Sequence, residues 1–191
     1  MITTLLVPGL DGSTGGHWQQ WWQQQDAESA MVRFTDLGDP VPAAMEVELI
    51  EAILEHPGCI LVGHSLGAIL IPRVLAQWPQ LDVAGALLVA PADPLHHKRL
   101  YRFDSISEEP LSVPATVVIS QNDPVMDHAR ARALARSWRA GVVDLGQAGH
   151  INLASGFGPW PLGLQLRDAL LGRQVTRSQD PVDASRLRAG L

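Results

Sequence analysis

Cysteine is nearly absent from this sequence of 191 residues, in which Cys59 is the only one. A single cysteine excludes a disulfide within the chain and any zinc site that needs several thiolates. Because Cys59 lies in an apolar run, we expect a small buried side chain at the start of a strand rather than a reactive thiol. The sequence therefore predicts no metal site.

Basic charge and long apolar stretches are also scarce. Lys and Arg total 14 against 20 Asp and Glu, which gives a net charge of −6. Nucleic-acid binding needs the opposite balance. No stretch approaches the roughly 18 consecutive apolar residues of a membrane helix, and residues 1–9 lack the basic segment of a signal peptide. We expect a soluble, cytoplasmic protein that binds neither nucleic acid nor membrane.

Lysine is represented only by Lys98, which bears on the glycine-rich segment GLDGSTGG at 9–16. A phosphate-binding P-loop needs a lysine directly after its glycines, and a dinucleotide site needs the spacing G-x-G-x-x-G. Neither pattern is present, so we predict no nucleotide and no other cofactor.

Short apolar runs alternate with longer stretches of helical spacing, the pattern of a parallel sheet with crossover helices. The predicted strands are 3–7, 30–34, 59–63, 84–90, 115–120 and 140–144, and the predicted helices lie near 17–25, 42–56, 65–77, 127–138 and 160–171. Several strands lack polar alternation, as strands buried on both faces do. The prediction is an α/β fold, doubly wound, with a mainly parallel sheet of about six strands.

The domain boundary is predicted near residue 172, after one domain over 1–172. Residues 173–191 are polar and aperiodic, and we expect a mobile tail.

The segment 91–114 is rich in Pro, charge and His, and a connection of this length is typical of a functional rim or lid. Three tryptophans form an apolar stripe that we expect to pack the first helix onto the sheet, namely Trp18, Trp21 and Trp22.

Ser65 lies in the string Gly63-His64-Ser65-Leu66-Gly67, which follows an apolar strand and opens a helix. This is the context of a nucleophile elbow, a tight turn that presents a serine hydroxyl at the end of a sheet. The turn strains the serine backbone and brings its flanks close to strand and helix, which favours glycine there. We therefore predict that Ser65 is a catalytic nucleophile.

A serine hydroxyl needs a general base, and His150 is the histidine that follows the last predicted strand. The adjacent His96 and His97 are interpreted as rim residues, and His17 and His56 lie at helix ends, where capping or exposure explains them. His64 is expected to pack beside Ser65 without titrating. His150 is thus the predicted base.

The acid that orients this histidine is predicted to be Asp123, in the string SQNDPV after the fifth strand. Asp93, in the string APADP one strand earlier, is the alternative. The chain order Ser, Asp, His with the acid nearer the histidine favours Asp123.

The oxyanion hole is predicted to consist of two backbone N–H groups, those of Leu10 after the first strand and Leu66 after the nucleophile.

The substrate pocket is expected to be shallow and suited to short acyl chains. It is predicted to involve the segment 91–114 and four apolar residues near the site, Met126, Ile151, Phe157 and Trp160.

Four ordered strings, VPGLDGSTGGHWQQWW, GHSLGA, SQNDPV and AGHINLASGFGPWP, give the chain a family resemblance over about residues 3–172. It resembles the small α/β-hydrolases of the retinoblastoma-binding protein 9 and YdeN-like serine hydrolase family. The resemblance implies a minimal hydrolase fold without a large cap domain, a triad of Ser65, Asp123 and His150, and hydrolysis of a small ester or related acyl substrate. Peptidase or thioesterase activity stays open, as does a protein-interaction module with little or no catalysis. The Leu-x-Cys-x-Glu motif of pocket-protein binding is absent.

Overall fold

Six strands form one parallel sheet in the computed structural model, which describes residues 3–10 and 12–178. The strands are β1 (Thr4–Val7), β2 (Ser29–Met31), β3 (Cys59–His64), β4 (Val83–Val89), β5 (Ala115–Ile119) and β6 (Gly141–Asp144). Their order across the sheet is β2-β1-β3-β4-β5-β6, and each neighbouring pair is parallel. This confirms the predicted fold class. Because every strand runs the same way, all their carboxyl ends lie at one edge of the sheet.

In the described ranges, five α-helices connect or follow these strands: α1 (Trp18–Gln25), α2 (Pro42–Glu55), α3 (Leu66–Gln77), α4 (His128–Ser137) and α5 (Pro161–Ser178). Within the predicted rim segment 91–114 lie two short 3-10 helices, Pro94–His96 and Lys98–Phe103. Helix α5 continues seven residues beyond the predicted end at 171. The rest of the predicted tail, 179–191, lies outside the described residues.

The central strand β3 shows why the sequence lacks polar alternation there. Its side chains divide between two apolar clusters, with Cys59 and Leu61 in one and Ile60 and Val62 in the other. Helices α2, α3 and α4 supply the first cluster, whereas α1 and α5 supply the second. The sheet is therefore covered on both faces, as buried parallel strands require.

The apolar stripe of α1 packs onto the sheet as predicted. Trp18 and Trp22 are fully buried in the second cluster, and Trp21 is partly buried against it.

Cys59 is also buried, and burial raises the pKa of its thiol to about 12, so the thiol is protonated at neutral pH. In the described part of the chain, no helix is both long enough and apolar enough to cross a membrane.

The starts of the helices differ in one way that matters for the site. His17 and Asp127 cap α1 and α4 with side-chain acceptors, and α2 begins with Pro42. Ser65 stands at the cap position of α3 but makes no capping bond with its side chain. Its hydroxyl is therefore free for other partners, and the first N–H groups of α3 are left without a side-chain acceptor.

Candidate active site

Ser65 lies on a strained turn between β3 and α3. Its φ is 55° and its ψ is −112°, a region that non-glycine residues rarely occupy. A Cβ on Gly63 would lie 2.6 Å from the backbone of Gly67, and a Cβ on Gly67 would collide with the carbonyl oxygen of Val7. Both glycines of the predicted elbow are therefore required by the close approach of strand, turn and helix.

Ser65, His150 and Asp123 lie in one hydrogen-bonded row. The Oγ of Ser65 is 2.9 Å from Nε2 of His150. Nδ1 of the same ring is 2.9 Å from Oδ2 and 3.0 Å from Oδ1 of Asp123. A carboxylate can only accept, so Nδ1 carries a proton and Nε2 accepts from the serine hydroxyl. The Asp123 side chain is only 3% exposed, which keeps water from competing for this contact.

The alternative acid, Asp93, has other partners. Its Oδ1 accepts from the N–H of Leu95 at 3.0 Å, and its Oδ2 is 3.2 Å from Nδ1 of His96. It makes no hydrogen bond with His150 in the structure. The geometry therefore brings Asp123, and not Asp93, to the histidine.

Two side chains that the sequence analysis did not single out hold the loop of His150. The backbone N–H of His150 donates to Oγ of Ser155 at 3.1 Å, and the N–H of Gly149 donates to Oδ1 of Asn122 at 2.8 Å. Asn122 directly precedes Asp123, so this bond ties the acid's loop to the histidine's loop. The string QND was visible in the sequence, but the partner of its asparagine was not.

The two predicted oxyanion donors are unoccupied backbone groups. Neither the N–H of Leu10 nor that of Leu66 donates to another group in the described part of the chain. Leu66 is the first residue of α3, where the helix dipole favours negative charge. Gly9 approaches closely, since a Cβ there would lie 3.0 Å from Cβ of Ser65. The loop after β1 thus passes directly over the serine.

A cavity of about 350 Å³ opens at Ser65. It is lined by residues from the loops after β1, β3, β4, β5 and β6: Gly9, Leu10, Gly12, His17, His64, Ser65, His97, Val125, His150, Asn152, Leu153 and Ala154. Of the predicted rim segment 91–114, only His97 takes part.

The four residues predicted for the substrate pocket are absent from the lining of this cavity. Met126 and Ile151 are 2% and 0% exposed and belong to the two apolar clusters. Phe157 contacts Trp160 edge to face, and Trp160 contacts the buried Trp18 in the same way. The physical reason is side-chain direction, because Val125 and Asn152, each one position away, face the cavity instead.

Three histidine rings form a row that ends at the reactive one. The ring of His64 lies 5.1 Å from that of His150 and 4.8 Å from that of His17. Burial lowers the pKa of His64 well below its ordinary value, and His150 and His17 lower it further. Burial, followed by the proximity of His150, lowers the pKa of His17 to about 4. Both neighbours are therefore neutral at physiological pH, as expected for His64.

The chain matches a family model described as serine hydrolase, over residues 4–169. The chain belongs to the serine hydrolase family. This family membership makes the chain a hydrolase, and it does not favour the alternative of an interaction module without catalysis.

One solved structure supports the same family. This serine hydrolase is similar to a protein described as a YdeN-like hydrolase from Pectobacterium atrosepticum, with 35% identity, 91% of this chain and 92% of that one covered, and a TM-score of 0.83. The ydeN product of B. subtilis has 17% identity over 90% of this chain and 100% of that one, with a TM-score of 0.72. At that identity the likeness shows the fold alone. The YdeN-like part of the predicted resemblance is confirmed.

A third structure, an esterase from Rhodococcus, has 14% identity over 88% of this serine hydrolase and 90% of its own chain, with a TM-score of 0.64. It too shows the fold alone. None of the curated proteins matches the chain.

Proposed function

We propose that this serine hydrolase cleaves small esters through an acyl-enzyme intermediate, with Ser65 as nucleophile, His150 as general base and Asp123 as the acid that orients it. The observation that supports this most is the 2.9 Å contact between Oγ of Ser65 and Nε2 of His150, on a ring whose Nδ1 is held by Asp123. That arrangement matches the roles required of a base-activated serine.

In the first half of the proposed reaction, Oγ of Ser65 bonds to the ester carbonyl carbon while its proton passes to Nε2 of His150. The carbonyl electron pair moves onto oxygen, and the N–H groups of Leu10 and Leu66 donate to that oxyanion. The pair then returns, the bond to the leaving alcohol breaks, and the alcohol oxygen takes the proton from His150. The product of this half is an acyl group on Ser65.

In the second half, a water molecule gives a proton to His150 as its oxygen bonds to the acyl carbon. The resulting oxyanion collapses, the bond from carbon to Oγ breaks, and Ser65 recovers its proton from His150. The acid leaves and the enzyme is restored. Asp123 stabilises the imidazolium present in both halves.

The size of the cavity supports a small substrate. Its volume of about 350 Å³ lies near the lower end of ligand pockets, which run from about 300 to 1,000 Å³. Leu10, Val125 and Leu153 supply apolar contacts. We infer a preference for short acyl chains, and the proposal retains the cytoplasmic location expected from the sequence.

Labelling with a fluorophosphonate probe tests the nucleophile. Wild type is expected to be labelled, and Ser65→Ala is expected to abolish labelling because the reactive oxygen is gone. Ser137→Ala, at the end of α4, is the matched control and should be labelled as wild type. Labelling that survives in Ser65→Ala, or no labelling of wild type, would overturn the proposal.

The acyl preference is tested with p-nitrophenyl esters of two to twelve carbons. We expect kcat/KM to be greatest for the two- to five-carbon esters and to fall for the longer ones. A maximum at long chains, or no cleavage of any ester by a protein that is labelled, would contradict the proposed substrate class.

A further inference from the structure

The cavity at Ser65 contains hydrogen-bond donors that the proposed reaction does not use. Four histidines line it, but His150 has both ring nitrogens occupied by Ser65 and Asp123. Nε2 of His64 donates to the carbonyl oxygen of His150 at 3.0 Å, so its Nδ1 lacks a proton and cannot donate. Nδ1 of His97 has no hydrogen-bond partner, but it is enclosed by protein and does not face the cavity. The fourth histidine of the lining is His17.

His17 presents a donor whose tautomer is set by the backbone. Its Nδ1 accepts from the N–H of Gln19 at 3.2 Å, as the cap of α1, so the proton of the neutral ring is on Nε2. Nε2 makes no hydrogen bond with any described residue, and the side chain lines the cavity although the residue is only 7% exposed. Nε2 is not one of the fully enclosed, unpartnered atoms of the described residues, so a ligand in the cavity can reach its N–H.

Asn152 supplies a second free donor. Its Oδ1 accepts from both the N–H and the Oγ of Ser155, at 3.1 and 3.0 Å, which fixes the orientation of the amide. Its Nδ2 is left without a partner in the described part of the chain, and the residue lines the same cavity. The loop after β6 therefore carries both His150 and an unpaired amide donor.

The described lining residues carry no formal charge. Among the residues of the cavity wall that the structure describes there is no Lys, Arg, Asp or Glu. His17 is neutral at physiological pH because burial lowers its pKa to about 4. Both free donors are therefore uncharged, and uncharged donors in a partly buried cavity suit a neutral acceptor better than an ion, whose desolvation they would not compensate.

We propose that the substrate carries a second, uncharged carbonyl oxygen besides the scissile ester, and that this oxygen accepts from Nε2–H of His17, with Nδ2 of Asn152 as a further donor. The substrate class is thus keto esters, diesters or amide-bearing esters rather than simple alkyl esters. This inference rests on the proposed esterase function.

Matched ester pairs test the class. One pair is p-nitrophenyl pentanoate and p-nitrophenyl 4-oxopentanoate, with the ketone on the acyl side; the other is butyl acetate and 2-oxobutyl acetate, with the ketone on the alcohol side. Each kcat/KM is divided by the second-order rate constant for hydroxide-catalysed hydrolysis of the same ester, which corrects for the intrinsic reactivity of that ester. We expect about a tenfold preference for the ketone in at least one pair, the value of one net hydrogen bond.

His17→Ser separates the cavity donor from the helix cap. Serine is a preferred capping residue, so α1 should keep its cap, whereas the donor into the cavity is lost. The variant is expected to melt within a few degrees of wild type and to lose the ketone preference, mainly through KM. His56→Ser, at the end of α2 and outside this cavity, is the matched control and should keep the preference. Asn152→Asp retains the oxygen that Ser155 contacts but lacks the Nδ2 donor, so it should weaken the preference for the ketone.

The outcomes distinguish the two proposals. If wild type is not labelled by the fluorophosphonate and cleaves no ester, the esterase proposal fails. If wild type cleaves both members of each pair with equal normalised rates, or if His17→Ser slows both members equally, the esterase proposal stands and this inference is overturned. A wild-type preference for p-nitrophenyl hydrogen succinate over the 4-oxopentanoate would also overturn it, because it would indicate a charged acceptor.

Discussion

Two segments of this serine hydrolase look alike in sequence and end with different partners. Ala92-Asp93-Pro94 follows β4, and Asn122-Asp123-Pro124 follows the neighbouring β5. In each, the carboxylate accepts from the backbone N–H two residues further on, at 3.0 Å for Asp93 and 2.8 Å for Asp123. The same contact between the carboxylate and the backbone is therefore present in both segments, although a 3-10 helix follows Asp93 and a bend follows Asp123.

The two segments differ in the histidine that contacts the other carboxylate oxygen, Oδ2. Asp93 meets His96, three residues along its own loop. Asp123 meets His150, 27 residues away, because β5 pairs with β6 and the loop after β6 carries that histidine. The local motif thus positions a carboxylate acceptor, and the position of the preceding strand in the sheet determines which histidine that carboxylate contacts.

The largest expected effect is the difference between Asp123→Asn and Asp93→Asn. Asp123→Asn should lower kcat by roughly 10³- to 10⁴-fold, because an amide can donate to Nδ1 of His150 and so favour the tautomer whose Nε2 cannot accept the serine proton. Asp93→Asn keeps the acceptor for Leu95 and should change kcat less than about threefold. Steady-state hydrolysis of p-nitrophenyl acetate measures both. A greater loss in Asp93→Asn would reverse the comparison.

A smaller effect is expected from Asn122, which has no counterpart in the β4 segment. Its Oδ1 accepts from the N–H of Gly149 and from Oγ of Ser120. Asn122→Ala should lower kcat/KM by about tenfold, since it leaves that N–H unpaired and loosens His150 relative to Asp123. Gln121→Ala, at the exposed neighbouring position, is the control. Equal kcat/KM values in the two variants would show that the bond does not position the histidine.

The smallest effect is expected on stability, from Asp93→Ala. Removing the acceptor of the Leu95 N–H should lower the free energy of unfolding by about 1 kcal/mol, the usual value of a helix cap. The contact with His96 adds little, because that side chain is 58% exposed. Urea denaturation measures the change, with activity expected within twofold of wild type. A loss of activity comparable to that of Asp123→Asn would mean that the two aspartates share a role.

The elbow and the secondary structure were predictable because their causes are local. Two glycines around Ser65, an apolar strand before it and a helical spacing after it predict the turn, and the structure has the strand ending at His64 and the helix beginning at Leu66. His150 was predictable by elimination, from its position after the last strand. Asn122 and Ser155 were not, because their partners lie in other loops or depend on how one loop folds.

The sequence by itself determined the α/β alternation, the tight turn at Ser65 and the family, because apolar periodicity and glycine placement act over a few residues. Chain order favoured Asp123 over Asp93, and the tertiary structure placed Asp123 against His150. The tertiary structure alone decided which of two adjacent side chains lines the cavity. Val125 and Asn152 line it while Met126 and Ile151 are buried in the core. Ile151 has a φ of 48°, a backbone conformation that the periodicity of apolar residues does not predict. Neighbouring side chains point in different directions, so the backbone path after each strand, set by packing between loops, selects the residues that face the substrate.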